Sequence, residues 1–192
     1  MLYQTHVRIH LDHIHFNMEQ VRQAVGEDRK ILIAVKANAY GHGAVEVSRL
    51  AEKVGVDWLG VATVPEGIQI REAGIRLPIL KFSPAFEEEV DAALSHTLTL
   101  TVCEFENIKV LQRRAAEMGV DAPVHLKVDT GMGRLGVTSE DAPSMAVFIE
   151  NECPNLVLEG VFTHLPISDN PESDFTEPQI ARFKAVVGDI QT

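Results

Sequence analysis

The sequence has few of the features that mark secreted or membrane proteins. It has only two cysteines, Cys103 and Cys153, which argues against a disulfide scaffold and favours a reducing compartment. No apolar run approaches the ~20 residues of a membrane span. The first residues do not show the basic start and apolar stretch of a signal peptide. We therefore expect a cytoplasmic protein.

Basic residues are also scarce. The chain has 17 lysines and arginines against 28 acidic residues, and its formal net charge is −11. Nucleic acids and anionic membranes attract basic surfaces, so this balance argues against both as partners. The length of 192 residues and the hydrophobic content of 45% suit one domain with a sizeable core.

Apolar strand-like segments alternate with helix-like segments along the whole chain. Strands are predicted for residues 31–36, 57–63, 77–82, 97–102, 123–129 and 156–164. Helices are predicted for residues 12–25, 43–55, 64–74, 84–96, 104–120, 139–153 and 175–190. Ser139 and Thr176 are candidate helix N-caps.

Six strand–helix units in regular alternation imply a parallel sheet with right-handed crossovers. Two architectures fit this pattern: an open doubly wound sheet and a TIM-type barrel. A TIM barrel needs eight units and typically about 250 residues, so this chain is two units short of one.

The first candidate site lies in "AVKANAYGHG", residues 34–43, where a lysine ends an apolar strand. Strand alternation would place Lys36 on the same face as Leu32 and Ala34. One interpretation is a lysine that extends from a strand end into solvent. The other is a lysine that forms a Schiff base, whose amine must be partly desolvated to be nucleophilic near neutral pH.

The second candidate site is "HLKVDTGMGRLG", residues 125–136. Strand alternation would place His125, Lys127 and Asp129 on one face of the fifth strand. The glycines that follow allow unusual backbone angles or close approach of a ligand, and they stand at positions 131, 133 and 136. Arg134 projects from this loop. The glycine spacing fits neither a dinucleotide-binding fingerprint nor a P-loop, and a purely structural turn is the alternative.

The third candidate site is His164 at the end of "GVFTH", where it alternates with Gly160 and Phe162. A lone histidine at a strand end is commonly structural. However, the first, fifth and sixth predicted strands each end in a polar residue at the same level of the predicted sheet, where active sites of barrels collect.

Together these motifs resemble those of alanine racemases. "AVKANAYGHG" is similar to the pyridoxal-phosphate attachment segment, and "HLKVDTGMGRLGV" to a second signature. The segments "LDHIHFNMEQVR", "GVATVPEGIQIREAG", "LEGVFTH" and "FTEPQIARF" match in the same order. The resemblance implies a parallel (β/α) barrel, of which residues 12–192 would hold about six of eight units. Residues 1–11 would be extended and pair with a C-terminal β-domain.

The resemblance also implies a role for five residues. Lys36 would form the aldimine with pyridoxal 5'-phosphate and act as an acid/base group at the substrate α-carbon. Tyr40 would bind the cofactor phosphate, Leu80 would contact the cofactor, and His164 would pack against its pyridine ring. Arg134 would bind the phenolic oxygen of the cofactor and lie near the substrate carboxylate. No metal site is expected.

In many relatives the lysine that matches Lys127 is carbamylated. An unmodified Lys127 near Arg134 would bring two cations together, whereas a carbamate would turn the pair into an attraction. Asp129 is the alternative anion, because strand alternation would place it on the face of Lys127.

The implied function is interconversion of L-alanine and D-alanine through a stabilised α-carbanion, which supplies D-alanine for peptidoglycan. In the family, a homodimer shares its active sites, and the second acid/base group is a tyrosine of the partner's C-terminal domain. Here only Tyr3 and Tyr40 occur, and neither matches that position. We therefore expect the 192 residues by themselves to be inactive.

Three other interpretations stay open at this point. The chain could be a barrel that binds the cofactor without catalysis, or a different racemase or decarboxylase on the same barrel. It could also be a doubly wound protein without a cofactor. The wording of "LKFSP" and "THLPISDNPES" departs from the common family pattern and leaves the substrate preference open.

Overall fold

We describe the protein from a computed structural model, which defines residues 5–191. The strands in this part of the chain are β1 (Leu32–Ala34), β2 (Trp58–Val61), β3 (Ile79–Lys81), β4 (Thr99–Val102), β5 (Ala122–Lys127) and β6 (Leu156–Phe162). The helices are α1 (Leu11–Val25), α2 (Lys36–Tyr40), α3 (Ala44–Lys53), α4 (Val64–Glu72), α5 (Glu87–Ser95), α6 (Phe105–Met118), α7 (Ala142–Glu152) and α8 (Thr176–Gln191).

The strands form a six-stranded sheet in the order β1-β2-β3-β4-β5-β6. The pairs β1–β2, β3–β4, β4–β5 and β5–β6 are all parallel. A doubly wound sheet reverses its strand order at a switch point, whereas a barrel adds each strand beside the last. The sequential order therefore confirms the barrel-type α/β fold of six units and rejects the doubly wound alternative. Within the described residues, β1 and β6 are the edge strands.

Strands β2, β3 and β4 are almost entirely buried. Every residue of β3 and β4 is buried, and only Trp58 of β2 is partly exposed. The buried positions include polar side chains, because Thr99 and Thr101 alternate with apolar residues in β4, and Lys81 ends β3. The edge strands β1 and β6 keep exposed positions, among them Leu32 and Val157.

The chain divides into two compact units, the first ending at Ile79 and the second beginning at Leu80. In the first unit, α3 buries Ala44, Val47 and Ala51 on one face. These positions follow the helical repeat of 3.6 residues, so one stripe meets the core. In the second unit, α6 buries Ile108, Leu111 and Ala115 with the same spacing.

Capping residues mark several helix ends, but two of the expected N-caps are wrong. Thr63 forms a capping box with Glu66 at the start of α4, and Gly119 ends α6 in the left-handed conformation. The expected cap at Ser139 is wrong, because α7 begins after Asp141, whose N–H is bound by Thr138 Oγ1. The expected cap at Thr176 is also wrong, because Thr176 is the first residue inside α8.

The N-terminal segment contains no helix or strand between residues 5 and 10. Helix α1 begins at Leu11, one residue before the expected start of the barrel. Residues 1–4 of the expected extended segment lie outside the described residues, and its pairing with a further domain stays a prediction. Over residues 5–191, no helix is long and apolar enough to cross a membrane.

Candidate active site

Lys36 does not lie on a strand. Strand β1 ends at Ala34, and Lys36 opens the five-residue element α2. The expectation that Lys36 shares a strand face with Leu32 and Ala34 is therefore wrong. The backbone turns because the next four residues, Ala37 to Tyr40, all have positive φ angles, between 51° and 54°. Lys36 is thus presented from a left-handed turn at the end of a strand.

This left-handed turn is energetically unfavourable by itself. A left-handed conformation costs a non-glycine residue about 1 to 2 kcal/mol, and such residues usually occur singly. Runs of strained residues persist only where surrounding contacts hold them, and they concentrate at functional sites. Here two side chains provide such contacts. Asn38 Oδ1 accepts from Ala44 N at 2.8 Å, and Glu66 Oε1 accepts from Ala37 N at 2.7 Å.

Glu66 binds the turn and its own helix together. Its other oxygen, Oε2, accepts from Ala62 N at 2.8 Å and from Thr63 N at 3.1 Å. One carboxylate thus connects the end of β2, the start of α4 and the residue after Lys36. Sequence reasoning missed this role, although the spacing of Thr63 and Glu66 is the signature of a capping box.

Lys36 and Tyr40 lie close together in the turn. The Nζ atom of Lys36 is 6.0 Å from the centre of the Tyr40 ring, and Lys36 is half-buried. Tyr40 is 61% exposed, so its hydroxyl can reach a ligand. The structure therefore groups two of the predicted cofactor residues within the first unit.

The second unit contains a closed loop around Asp129, which we call the glycine loop, residues 129–136. An isolated parallel bridge between Val128 and Val137 closes the loop at its base. The carboxylate of Asp129 accepts from Gly131 N at 2.9 Å and from Gly133 N at 2.9 Å. These backbone hydrogen bonds lower the pKa of Asp129 against the opposing effect of its desolvation. Asp129 is therefore an organiser of the loop.

Glycine is required at the closing position of the loop. Gly136 has a φ of 137°, and a Cβ atom there would lie 2.5 Å from Asp129 N and 2.8 Å from the Val128 carbonyl carbon. No side chain can be accommodated at such distances without moving the backbone. The expectation of unusual backbone angles at these glycines is confirmed, and the close approach of a ligand stays a prediction.

Lys127 is the last residue of β5 and is 5% exposed. Its Nζ atom lies 4.3 Å from the centre of the Phe162 ring. Desolvation by burial lowers the pKa of Lys127, and the positive charge of Arg134 lowers it further. No carboxylate within residues 5–191 forms an ion pair with Lys127. The two cations thus influence each other, as the sequence indicated.

His125 also lies on β5, but its surroundings are those of a packed side chain. Its ring fits over Gly160, where a Cβ atom would lie 2.8 Å from Cε1 of the ring. Burial lowers the pKa of His125, while Glu159 at 3.7 Å acts in the opposite direction. A register shift between Val124 and His125 interrupts the regular β5–β6 pairing beside this contact.

His164 lies two residues beyond the end of β6, so the expected strand end is too long. Lys36 follows β1 and Asp129 follows β5 by the same two residues. His164 is exposed, and Thr163 before it contacts the base of the glycine loop. Leu80 is on β3 and is 2% exposed.

One group of potential metal ligands occurs in residues 5–191. It comprises His10, Asp12 and His13, whose ligand atoms lie within 4.8 Å of one another, and all three are exposed. The group lies at the start of α1, and the sequence did not indicate it.

Comparison with known proteins gives a consistent result. The family model described as "Alanine racemase, N-terminal domain" matches residues 9–192. An alanine racemase of Cutibacterium acnes is 47% identical over 190 residues, which is 98% of this chain and 50% of that protein. An alanine racemase of Treponema denticola is 39% identical over 95% of this chain and 49% of its own length.

Solved structures with the same fold were also found. The alanine racemase of Clostridium difficile in complex with cycloserine has a TM-score of 0.92 at 35% identity, with 95% of this chain and 50% of that chain covered. The alanine racemase of Bacillus anthracis with bound L-Ala-P has a TM-score of 0.86 at 30% identity, with 94% and 47% covered. The chain spans about half the length of the curated relatives it matches.

Proposed function

Because the chain belongs to the alanine racemase family, we propose that it forms the N-terminal part of an enzyme that interconverts L-alanine and D-alanine with pyridoxal 5'-phosphate. The observation that carries this proposal is the strained turn that presents Lys36 beside Tyr40. The D-alanine product would serve the synthesis of peptidoglycan. The complete enzyme would be a cytoplasmic homodimer.

The side chains present suit this cofactor. Bound pyridoxal phosphate withdraws electrons from the α-carbon of an amino acid, so that its proton can be removed. In the first unit, the amine of Lys36 would hold the cofactor covalently, and the Tyr40 hydroxyl would donate to the phosphate. The same amine would then accept or return the proton at the α-carbon on one face.

For the second unit, we propose roles toward the other parts of the cofactor and toward the substrate. Arg134 would donate to the phenolic oxygen and orient the substrate carboxylate, because a guanidinium suits such anionic oxygens. His164 would pack against the pyridine ring, and Leu80 would supply an apolar contact. The exposure of Arg134 and His164 leaves both side chains accessible to a ligand.

We further propose that Lys127 carries a carbamate in the complete enzyme. Its pKa is lowered by burial and by Arg134, so its amine is more often uncharged and able to react with carbon dioxide. Asp129 is less suited to be the anion for Arg134, because its oxygens accept from the backbone of the glycine loop.

Racemisation needs a second acid/base group on the opposite face of the α-carbon. The sequence holds two tyrosines, Tyr3 and Tyr40, and neither matches the position of that group in the family. We propose that a tyrosine from the C-terminal domain of a partner subunit supplies it. Active sites would then be complete only in the dimer.

The experiment that tests the proposed function replaces Lys36 with alanine in the complete enzyme. The parent should show a cofactor absorbance band that borohydride removes, and Lys36→Ala should lack it. Lys53→Ala, an exposed lysine at the end of α3, is the matched control and should keep the band. An unchanged spectrum in Lys36→Ala would show that the lysine assignment is wrong.

A further inference from the structure

Helix α8 contacts the glycine loop through two residues of the "FTEPQIARF" motif, and the roles assigned above leave both unused. Arg182 donates from Nη1 to the carbonyl oxygen of Thr130. Gln179 is 2% exposed and lies beneath Gly131. A Cβ atom on Gly131 would lie 3.3 Å from Arg182 Nη1 and 3.4 Å from Gln179 Nε2. The loop backbone therefore rests directly on α8.

The peptide group between Thr130 and Gly131 is held at both ends. Arg182 binds its carbonyl oxygen, while its N–H donates to Asp129 Oδ1 at 2.9 Å. A peptide fixed in this way cannot rotate without breaking both hydrogen bonds. Arg134 follows this peptide by three residues, and Gly133 directly before it also donates to Asp129, at 2.9 Å to Oδ2.

A hydroxyl pair connects the same peptide to the segment of His164. Thr163 Oγ1 donates to Val128 O at 2.9 Å. Because that hydroxyl has a single hydrogen, Thr130 Oγ1 must be the donor in its 2.8 Å contact with Thr163 Oγ1. Thr130 is 1% exposed, so this pair is shielded from water. The glycine loop and the residue before His164 are thus bound into one network.

Arg182 donates a hydrogen bond to the glycine loop and takes no part in a surface ion pair within the described residues. No carboxylate within residues 5–191 forms a salt bridge with its guanidinium. Gln179 acts differently, because neither atom of its buried amide has a hydrogen-bond partner in the described part of the chain. Its side chain therefore supports the loop by van der Waals packing and by filling the space beneath Gly131.

We propose that Arg182 is a positioning residue, which holds the glycine loop so that Arg134 meets its ligand in one fixed orientation. The buried side chain of Gln179 packs against the loop and supports it. This inference rests on the proposed function for the role of Arg134. The fixing of the loop itself is a property of this chain and can be measured without cofactor.

The first test is hydrogen exchange in the complete enzyme without cofactor. Arg182→Met should speed exchange of the Gly131 and Gly133 amides by about tenfold, because the loop opens locally, while amides of α8 stay protected. Arg182→Lys should lie between parent and Arg182→Met, since an ammonium offers a donor without the planar fork. Lys184→Met, which removes an exposed cation of the same helix, should leave the loop unchanged.

Gln179 variants separate volume from hydrogen bonding. Gln179→Ala should speed exchange of the same loop amides, whereas Gln179→Met keeps the volume and should not. Equal exchange in parent and Arg182→Met would overturn the fixing of the loop. If circular dichroism shows that Arg182→Met is unfolded, the exchange rates of Arg182→Lys, Gln179→Ala and Gln179→Met still decide whether α8 holds the glycine loop.

The second test uses the loaded enzyme. Arg182→Met should lower kcat/KM for alanine by about tenfold or more, since small misplacements of orienting groups are costly. It should also shift the pH dependence of the cofactor band in the direction that Arg134→Lys shifts it. Altered exchange with an unchanged band and activity would overturn the link to Arg134. A parent without band or activity would refute the proposed function, and the exchange result would still decide the fixing of the loop.

Discussion

The two buried lysines of the second unit differ in how their charge is met. Lys81 donates to Ser83 O and Ser83 Oγ at 3.1 Å and to Pro84 O at 2.8 Å, and it lies 3.9 Å from Glu89. Lys127 has the Phe162 ring on one side and the positive charge of Arg134 nearby. Burial lowers the pKa of both lysines. Lys81 is thus held as a structural ammonium. Lys127 has fewer polar partners, and its pKa is lowered by burial first and by Arg134 second, although the Phe162 ring and Asp129 favour its charged form.

We predict that Lys127 forms a carbamate. Complete enzyme equilibrated with ¹³C-bicarbonate should give a carbamate carbon signal in NMR spectra. Lys127→Gln should lack this signal, and the exposed lysine variant Lys109→Gln should keep it. Because only the uncharged amine reacts, and the pKa of Lys127 is lowered, the signal should persist near neutral pH and fade as the pH is lowered.

Two outcomes would contradict a carbamate on Lys127. A signal that survives in Lys127→Gln would assign the carbamate to another amine. A parent without any signal, with Lys127 directed away from Arg134 in a crystal structure, would remove the carbamate from the proposal.

At the scale of elements, the left-handed turn of α2 depends on a helix that follows it in the chain. Glu66, inside the first turn of α4, binds the N–H groups of Ala37, Ala62 and Thr63. A carboxylate has two acceptor oxygens, whereas an amide has one and adds donors. The neutral isostere therefore cannot hold both sides of this contact.

We predict that Glu66→Gln destabilises the protein by about 1 to 2 kcal/mol, the range for a lost cap together with hydrogen bonds to a charged group. Urea unfolding measures this change. The same variant should also reduce the fraction of cofactor that borohydride fixes to the protein, because the turn that presents Lys36 loses its support.

The control for Glu66 is Glu72→Gln at the end of the same helix. Glu72 is exposed, so its replacement should change the free energy of unfolding by less than about 0.5 kcal/mol. Similar effects of the two substitutions would contradict a specific role for Glu66.

At the scale of the whole molecule, the sheet has two edges within the described residues. Strand β1 pairs only with β2, and β6 pairs only with β5. On β6, Val157 is 50% exposed, and on β1, Leu32 is 37% exposed. Unpaired strand edges with apolar side chains are templates for association.

We predict that the 192-residue chain by itself associates, binds the cofactor weakly and has no significant racemase activity. A missing acid/base group typically costs about 10²- to 10⁴-fold in rate. Light scattering on a sizing column measures the association, titration of the cofactor absorbance band measures the binding, and circular dichroism of L-alanine solutions measures the racemisation. A monodisperse monomer that racemises alanine nearly as fast as a full-length relative would refute the prediction.

The sequence by itself determined the order of elements, because apolar periodicity and helix-end residues act over a few positions. Such patterns predicted the six strands, seven of the eight helices in the described residues and the parallel arrangement, but not α2. The family was predicted as well, since its longest motifs lie in two continuous segments, residues 34–43 and 125–136. The roles of Lys36, Tyr40, Leu80, Arg134 and His164 stay predictions.

Only the tertiary structure decided how those motifs are held. The left-handed turn after Val35 opposes the preference of its two alanines and of Tyr40, and Glu66 supports it from 29 positions away. Arg182 reaches Thr130 across 52 positions. Strand ends at Ala34 and Phe162 likewise depend on which neighbour is paired. Local propensity cannot encode such contacts, because their free energy exists only when distant segments of the chain are packed together.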